Sequence, residues 1–273
     1  MFTTLVILHS APTGSVLAPM RTVLPLLLAA AAWSSAAFAD PTPEALHLYA
    51  AGDFIAAANL AASQHSSADL AFVAQALLAA CATDQSHDVD TMLTRAAANA
   101  RSALALDAHA IDARIDLALA YGMMGKRATL SDAIAHNYAG RGRRLIGEAL
   151  ALDPNNARAH ALLGAWHFEV LRRGGGFGAM TYGARLSSGV SEFRRGMALA
   201  PNDPLIPLQF AVALLQRGMA GDAATAHLLL VRAEAMAARD ALEVAAHNNA
   251  RRLLDAMGES PEAARRAARD VTL

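Results

Sequence analysis

Residues 147–173 read GEALALDPNNARAHALLGAWHFEVLRR, two apolar runs separated by Asp153-Pro154-Asn155-Asn156. Proline lacks the amide donor that a helix interior needs, so Pro154 ends the first run and the asparagines turn the chain into the second. The arrangement recurs on both sides. In SEFRRGMALAPNDP (191–204), Phe193, Gly196, Met197 and Leu199 lead up to Pro201 as Ala149, Leu150 and Leu152 lead up to Pro154. In AAANARSALALDAHA (96–110), Ala96, Ala100, Ala103, Leu104 and Leu106 lead up to Asp107-Ala108, with alanine where the other two have proline. Three seams of one kind make DPNN a repeat boundary.

Working outward, each seam joins the second helix of one pair to the first helix of the next. After DPNN, Leu163-Gly164 stands where a small residue lets a partner helix approach. Composition agrees: the chain is rich in alanine, its aromatic content is 5%, and β-branched residues are not enriched, which predicts an all-α fold with close helix crossings. Helix pairs of about 34 residues with small residues at the crossings and a proline at the exit are tetratricopeptide repeats (TPR), and this chain resembles them. Ala108, Pro154 and Pro201 stand 46 and 47 residues apart. Each interval is longer than a standard repeat, and the surplus falls between the two helices of a pair, at 122–140 and at 172–188. An earlier pair is legible in EALHLYAAGDFIAAANLAAS (44–63), where Gly52, Phe54 and Ala57 mark its turn. Beyond residue 204 the helical pattern continues to GESPEAARRAARD (258–270), a polar capping helix started by Ser260-Pro261. The prediction for residues 40–273 is one all-α domain, a TPR-like right-handed superhelix of about twelve helices.

Residues 1–39 belong to targeting. From Met20 the chain has a basic start at Arg21, an apolar run from Val23 to Trp33, and Ala37-Phe38-Ala39 as a small-x-small cleavage site. This is read as a signal peptide initiated at Met20 and cleaved after Ala39, with residues 1–19 as an upstream extension. An uncleaved membrane anchor is the alternative, but the run is shorter than the roughly 20 residues of a span and contains Pro25. Export to the periplasm of a Gram-negative bacterium is therefore expected. The single cysteine, Cys81, lies in the apolar run ALLAACATD and reads as a buried small hydrophobe.

The segment 117–203 resembles the TPR domain of the regulator of microtubule dynamics family, in the order of its two insertions and in the core HALLGAW at 160–166. The flanks match only as generic helical repeats. The resemblance implies an adaptor-like, non-enzymatic binding protein; a microtubule role does not carry over to an exported bacterial chain.

Catalytic chemistry finds no footing in the residues. His160 and His167 share a helix face but are about 10.5 Å apart along the axis at 1.5 Å per residue, too far for one metal ion, and both occupy packing positions. His167-x-Glu169 has no accompanying Pro-Cys-x-x-Cys, so zinc deaminase chemistry is excluded. GGGFG at 174–178 lacks the Lys-Ser/Thr of a phosphate loop, the only lysine being Lys126, and is read as a flexible inter-helix loop. No G-x-S-x-G elbow occurs, and His247 has no associated nucleophile. The chain is accordingly read as no enzyme, with no catalytic residue, metal ligand or cofactor.

Charge is segregated although the net is −1. Residues 40–125 carry 3 basic and 10 acidic side chains, residues 126–195 carry 11 and 5, and the remainder 8 and 9. The basic centre includes Arg141, Arg143, Arg144, Arg172, Arg173, Arg185, Arg194 and Arg195, a candidate contact for carboxylate or phosphate. These arginines could equally solvate helix faces and pair with the acidic first third. On the inner wall of a TPR superhelix, repeat positions 2, 5, 9 and 12 select Asp112, Ile115, Leu119 and Gly122; Arg158, Ala161, Ala165 and Phe168; and Leu205, Leu208, Val212 and Leu215. The last set is apolar for a wall facing water, so either later helices cover it or it receives an apolar peptide or lipid chain. The expected function is an exported scaffold that binds a protein or peptide segment, acidic segments included, in a groove formed by Ile115, Leu119, Arg158, Phe168, Leu205, Leu208, Val212 and Leu215. The alternative is a periplasmic carrier of a lipid or other apolar ligand, with arginines at an anionic headgroup. Nucleic acid is not an expected partner.

Overall fold

The computed structural model describes residues 41–83 and 88–271, and every regular element among them is an α-helix. The leader peptide, its start at Met20 and its cleavage after Ala39 lie outside the described residues. Six helix pairs follow one another: α1 (Pro43–Ala51) with α2 (Phe54–Ala61), α3 (Ser67–Thr83) with α4 (Val89–Leu106), and α5 (Ile111–Arg127) with α7 (Tyr138–Leu152). Then come α8 (Ala157–Tyr182) with α9 (Leu186–Leu199), α10 (Leu205–Arg217) with α11 (Asp222–Glu234), and α12 (Ala241–Glu259) with α13 (Pro261–Asp270). The short α6 (Leu130–Ala135) is inserted in the third pair and brings the described helices to thirteen, one more than the expected dozen. None of them is long and apolar enough to cross a membrane.

The three seams share one backbone. Asp107, Asp153 and Ala200, each ending the second helix of a pair, have φ,ψ of −134°,104°, −135°,94° and −126°,75°. Each donates its amide at 2.9 Å to the carbonyl four residues back, from Ala103, Ala149 and Gly196. Each then accepts the amide three residues on, from Ala110, Asn156 and Asp203, at 3.2–3.3 Å. Asp107 and Asp153 also fold a carboxylate oxygen onto the amide two residues later, at His109 and Asn155. Entry into the following helix is capped where the sequence offers an acceptor: Asn156 takes the Ala159 amide at 3.0 Å.

Within a pair, small residues set how near the helices come. A methyl group on Gly164 of α8 would lie 2.8 Å from the Phe193 ring of α9 and 3.1 Å from the Gly189 carbonyl. One on Gly189 would lie 3.0 Å from both His167 and Phe168, and one on Gly196 would lie 3.0 Å from the Ala157 carbonyl. The fourth pair can therefore close only with glycine at these places, which fulfils the packing role read for Leu163-Gly164. In the second pair alanines serve: Ala74 and Ala76 of α3 and Ala96 and Ala100 of α4 are fully buried.

First helices of successive pairs also stack, α3 on α5, α5 on α8, α8 on α10 and α10 on α12. The stack then turns back on itself, because α12 packs against α1 and α3. Leu242 of α12, partly buried, joins the same apolar cluster as Tyr49, Leu77 and Leu93 of the first two pairs. At the far end α13 is capped by Ser260, whose hydroxyl accepts the Ala263 amide, and folds onto α10 through Gln216 Nε2 on the Ala268 carbonyl at 2.8 Å.

The glycine run at 174–178 is not a loop. It lies inside α8, which bends at Gly175 (φ 51°, ψ −135°), a conformation that side-chain-bearing residues rarely adopt. After the bend the helix folds back: a methyl on Gly178 would sit 2.7 Å from the Val170 carbonyl, whereas eight residues of straight helix would separate them by about 12 Å. Both insertions thus become short helical pieces laid against α5, α7 and α8.

Candidate functional site: cavities along the inner wall

The faces of α5, α8 and α10 that line the inside of the stack enclose three adjoining cavities. The first, about 140 Å³, lies in the third pair and is walled by α5, α6, α7 and both limbs of α8. Its surface is dominated by apolar groups such as Leu119, Ile146, Trp166 and Val170, with Lys126, Glu169 and Arg173 as its charged members. Trp166 is fixed by its indole N–H on the Ala139 carbonyl at 2.9 Å. The second cavity, about 310 Å³, lies between α8 and α10 beside Val271 and shares Lys126, Ala165 and Glu169 with the first. The third, about 210 Å³, is reached through Gln209 from the second and through Leu119, Met123 and Leu162 from the first.

The third cavity is the most polar of the three, and its charged groups are held in place by hydrogen bonds. Arg158 donates to Asp116 at 2.8 Å and to Asp112 at 3.4 Å. The Asp116 side chain is 1% exposed, and burial pushes its carboxyl up to about 6 despite the guanidinium beside it. Asp203 is also raised by burial while its carboxylate accepts the Leu205 amide at 2.8 Å. Burial opposes the charge of Glu243, but Arg239 donates to both carboxylate oxygens and the net effect holds it below the ordinary range. Burial raises Tyr49 as well. In the second cavity, Lys126 is reached by solvent yet hemmed in by the walls, and this desolvation lowers the proton affinity of its amine.

Of the groove residues read from the sequence, Ile115, Arg158 and Leu205 line the third cavity, Phe168 and Val212 the second, and Leu119 both the first and the third. Leu208 and Leu215 instead lie at 0% and 4% exposure in the core cluster that holds Leu230 and Leu253. On α10 the cavity-facing positions are Leu205, Gln209, Val212 and Gln216, so the helix is turned by one residue from the expected 208 and 215. The α11 to α13 side of the core takes these leucines, which is how later helices cover the apolar wall. Asp116, Gln209 and Gln216 were missed by the positional rule. The available signal was an aspartate and two glutamines inside otherwise apolar helical runs.

The basic centre does not assemble into one patch. Arg141 stands 4.0 Å over the Tyr121 ring and donates to its hydroxyl; Arg143 stands 5.8 Å over Trp166. Arg144 pairs with Glu148, Arg172 grips Glu169 with two bonds at 2.7 and 2.9 Å, and Arg195 donates to Asn155. Arg173 donates to the Gly125 and Ala128 carbonyls, satisfying the exposed end of α5. Arg194 is exposed on α9, and Arg185 precedes that helix, its amide bonded to His167 Nδ1 at 3.1 Å. Of these eight arginines, only Arg172 and Arg173 line one of the three cavities.

His160 and His167 serve the fold. His160 bonds Glu192 at 2.6 Å through Nδ1 and the Pro154 carbonyl at 3.0 Å through Nε2, tying the seam to α9. His167 is pushed below its ordinary value by burial and by Arg143, as suits a ring that accepts a hydrogen bond. Cys81 is fully buried, and desolvation raises its thiol to about 11, the setting of an inert packing residue.

Among solved structures, the crystal structure of TTC0263, a thermophilic TPR protein in Thermus thermophilus, matches 77% of this chain and 96% of its own at 18% identity, with a TM-score of 0.55. The chain folds as a TPR-like α-α solenoid. At this identity the likeness shows the fold alone. No family model matches the chain, and no curated protein does. The narrower resemblance of 117–203 to the regulator of microtubule dynamics family therefore stands on its residues only.

Proposed function

We propose that this protein is an exported, non-catalytic interaction module that holds a short segment of a partner protein along the wall formed by α5, α8 and α10. The observation that carries the reading is the pair of adjoining inner cavities meeting at Gln209, one of about 310 Å³ and lined by Lys126, by Arg172 paired with Glu169, and by Arg217 paired with Asp222. Stacked helix pairs present such inner surfaces, and cations set among Phe168, Leu186 and Val212 suit a segment with an acidic residue beside an apolar one. The packing duties of His160, His167 and Cys81 support a binding role over a chemical one.

A photo-cross-linking amino acid placed at Gln209 in the producing cells tests this, with Leu228, an outward residue of α11 that is 71% exposed, as the reference position. A discrete polypeptide adduct from Gln209 and none from Leu228 is expected. Adducts from Leu228 alone, or from neither, would overturn the inner-wall assignment. Export is checked on the same cells: the mature protein of the periplasmic fraction should begin at Asp40.

A further inference from the structure

The third cavity takes its wall from the first helix of every pair: Tyr49, Gln75, Asp116, Arg158, Gln209 and Glu243 come from α1, α3, α5, α8, α10 and α12. The first cavity, with Leu130, Ile134 and Phe177 about half exposed on its wall, is so apolar that its lining selects no particular solute. The third differs, because its charges do not balance after pairing. Arg158 is shared between Asp116 Oδ1 and Asp112, and Arg239 is taken up by both oxygens of Glu243. Among the described residues these are the only cationic side chains on the wall, so Asp203 and Asp240 have no ion partner. Each accepts one backbone amide instead, from Leu205 and from Glu243, at the amino ends of α10 and α12. A helix end offsets about half a charge, so the two carboxylates together retain roughly one negative charge. An independent observation points the same way: Asp116, 1% exposed, has one carboxylate oxygen, Oδ2, that no donor reaches. A buried acceptor left bare is costly, and a donor that also carries positive charge would answer both deficits.

We infer that the third cavity is a binding site for a primary aliphatic ammonium ion, whose N–H groups satisfy the bare oxygen of Asp116 and whose charge Asp203 and Asp240 balance. An ammonium group supplies three donors and one charge on a flexible apolar stem, and Ile115, Ile206 and Leu242 give that stem a surface to lie on. The volume of about 210 Å³ exceeds the roughly 150 Å³ that admits a benzene ring, so a four-carbon stem fits. A metal ion suits the site less, because among the described residues no three carboxylate, histidine or cysteine side chains converge as ligands. Burial, with Asp112 and Glu243 adding to it, raises the proton affinity of Asp116 and Asp203, the response of carboxylates that lack a sufficient counter-charge. A free amine and the lysine side chain of a bound polypeptide share this chemistry. The site goes beyond the partner-segment reading and does not rest on it.

Calorimetric titration of the full mature chain with n-butylammonium, and with n-butanol as the uncharged chain of equal length, tests the inference at about pH 7.5, where a carboxyl raised to about 6 is ionised. Butylammonium should bind at least about tenfold more tightly than butanol. Asp203→Asn combined with Asp240→Asn should erase that preference, because asparagine oxygens keep both amide bonds while the charges are lost. No butylammonium binding up to about 10 mM, butanol binding as tightly, or a preference that survives the double substitution would each overturn it. The comparison of the two solutes on the unaltered chain decides the matter even if the substituted chain melts early. Nα-acetyl-lysine methylamide distinguishes the sources: tighter binding than butylammonium supports the site as one for a polypeptide lysine, weaker binding as one for a free amine. Calorimetry needs no partner, so its outcome is independent of the Gln209 cross-link.

Discussion

The crossing of α8 with α9 and the first cavity are both rich in glycine, but Gly164, Gly189 and Gly196 at the one act in the opposite way to Gly122 and Gly174 at the other. At the crossing of α8 and α9, Gly164, Gly189 and Gly196 are met by neighbours at about 3 Å, so their missing side chains become contact. Around the cavity of the third pair, Gly122 and Gly174 face space, so their missing side chains become volume. The crossing is closed by glycine and the cavity is kept open by it. The lesson is that a glycine in a repeat protein has no fixed meaning until the opposing surface is known. The sharpest test of the closed side is Phe193, which is fully buried, stacks on Phe210 at 4.7 Å between ring centroids, and meets Phe168 edge-on at 5.9 Å. Phe193→Ala should cost about 3–5 kcal/mol in urea unfolding, whereas Phe177→Ala at the open cavity should stay within about 0.5 kcal/mol. Equal costs would erase the distinction between the crossing and the cavity.

A second test reads the inner wall at α5 through its buried carboxylate. Burial raises Asp116 to about 6, above the ordinary carboxylate value, so between pH 4 and 6 the folded chain keeps a proton that the unfolded chain has released. The group's contribution to stability is therefore greatest below pH 4 and is lost as pH rises through 6. Measured against Asp116→Asn, the wild type should lose about 3 kcal/mol of relative stability from pH 4 to pH 7, because a carboxyl raised from 3.8 to about 6 loses about 1.4 kcal/mol for each pH step between those values. A flat difference across that range would mean that the Arg158 ion pair outweighs burial, contrary to the direction expected from the geometry.

The glycines themselves provide the third test, with opposite signs. Gly164→Ala drives a methyl into the Phe193 ring and should destabilise by about 1–3 kcal/mol. Gly122→Ala lies in the interior of α5 with nothing in its way and should stabilise by up to about 1 kcal/mol through helix propensity. Thermal unfolding of the two variants side by side is sufficient, and a loss in both would show the cavity of the third pair to be filled.

What could be read from the chain follows the same division. The seams are local: an apolar helix end, then an aspartate or alanine, then a proline or alanine determine their own turn within four residues, and the three turns share one geometry. The positions of the insertions followed from counting residues between seams. Their conformation did not, because nothing in GGGFG indicates that Gly178 will fold back on the Val170 carbonyl. The turn of α10 was off by one, since Leu205, Leu208, Val212 and Leu215 form as good an apolar stripe as the true one; α11 to α13 decide which leucines they cover. The contact of α12 with α1 joins residues some 190 positions apart and leaves no local mark. The arginines misled for a related reason: a long side chain finds its carbonyl, ring or carboxylate only after folding, as Arg173 finds the end of α5.

The smallest effect tests the seams themselves. Ala108 stands where Pro154 stands, and the residues before them, Asp107 and Asp153, have φ of −134° and −135° and ψ of 104° and 94°, the extended conformation that must precede a proline. If the turns are equivalent, Ala108→Pro meets no steric obstacle, and the proline removes freedom only from the unfolded chain. It should stabilise by about 0.4–1 kcal/mol, a rise in melting temperature of no more than a few degrees. Ala110→Pro is the contrasting change, because the Ala110 amide donates to the Asp107 carbonyl at 3.2 Å and proline would delete that bond. A gain at 108 with a loss at 110 fits a proline seam in which alanine has taken the place of proline. A loss at 108 would mean that the first seam holds its shape by means other than those of the second, and the repeat would then be one of pattern without shared turn mechanics.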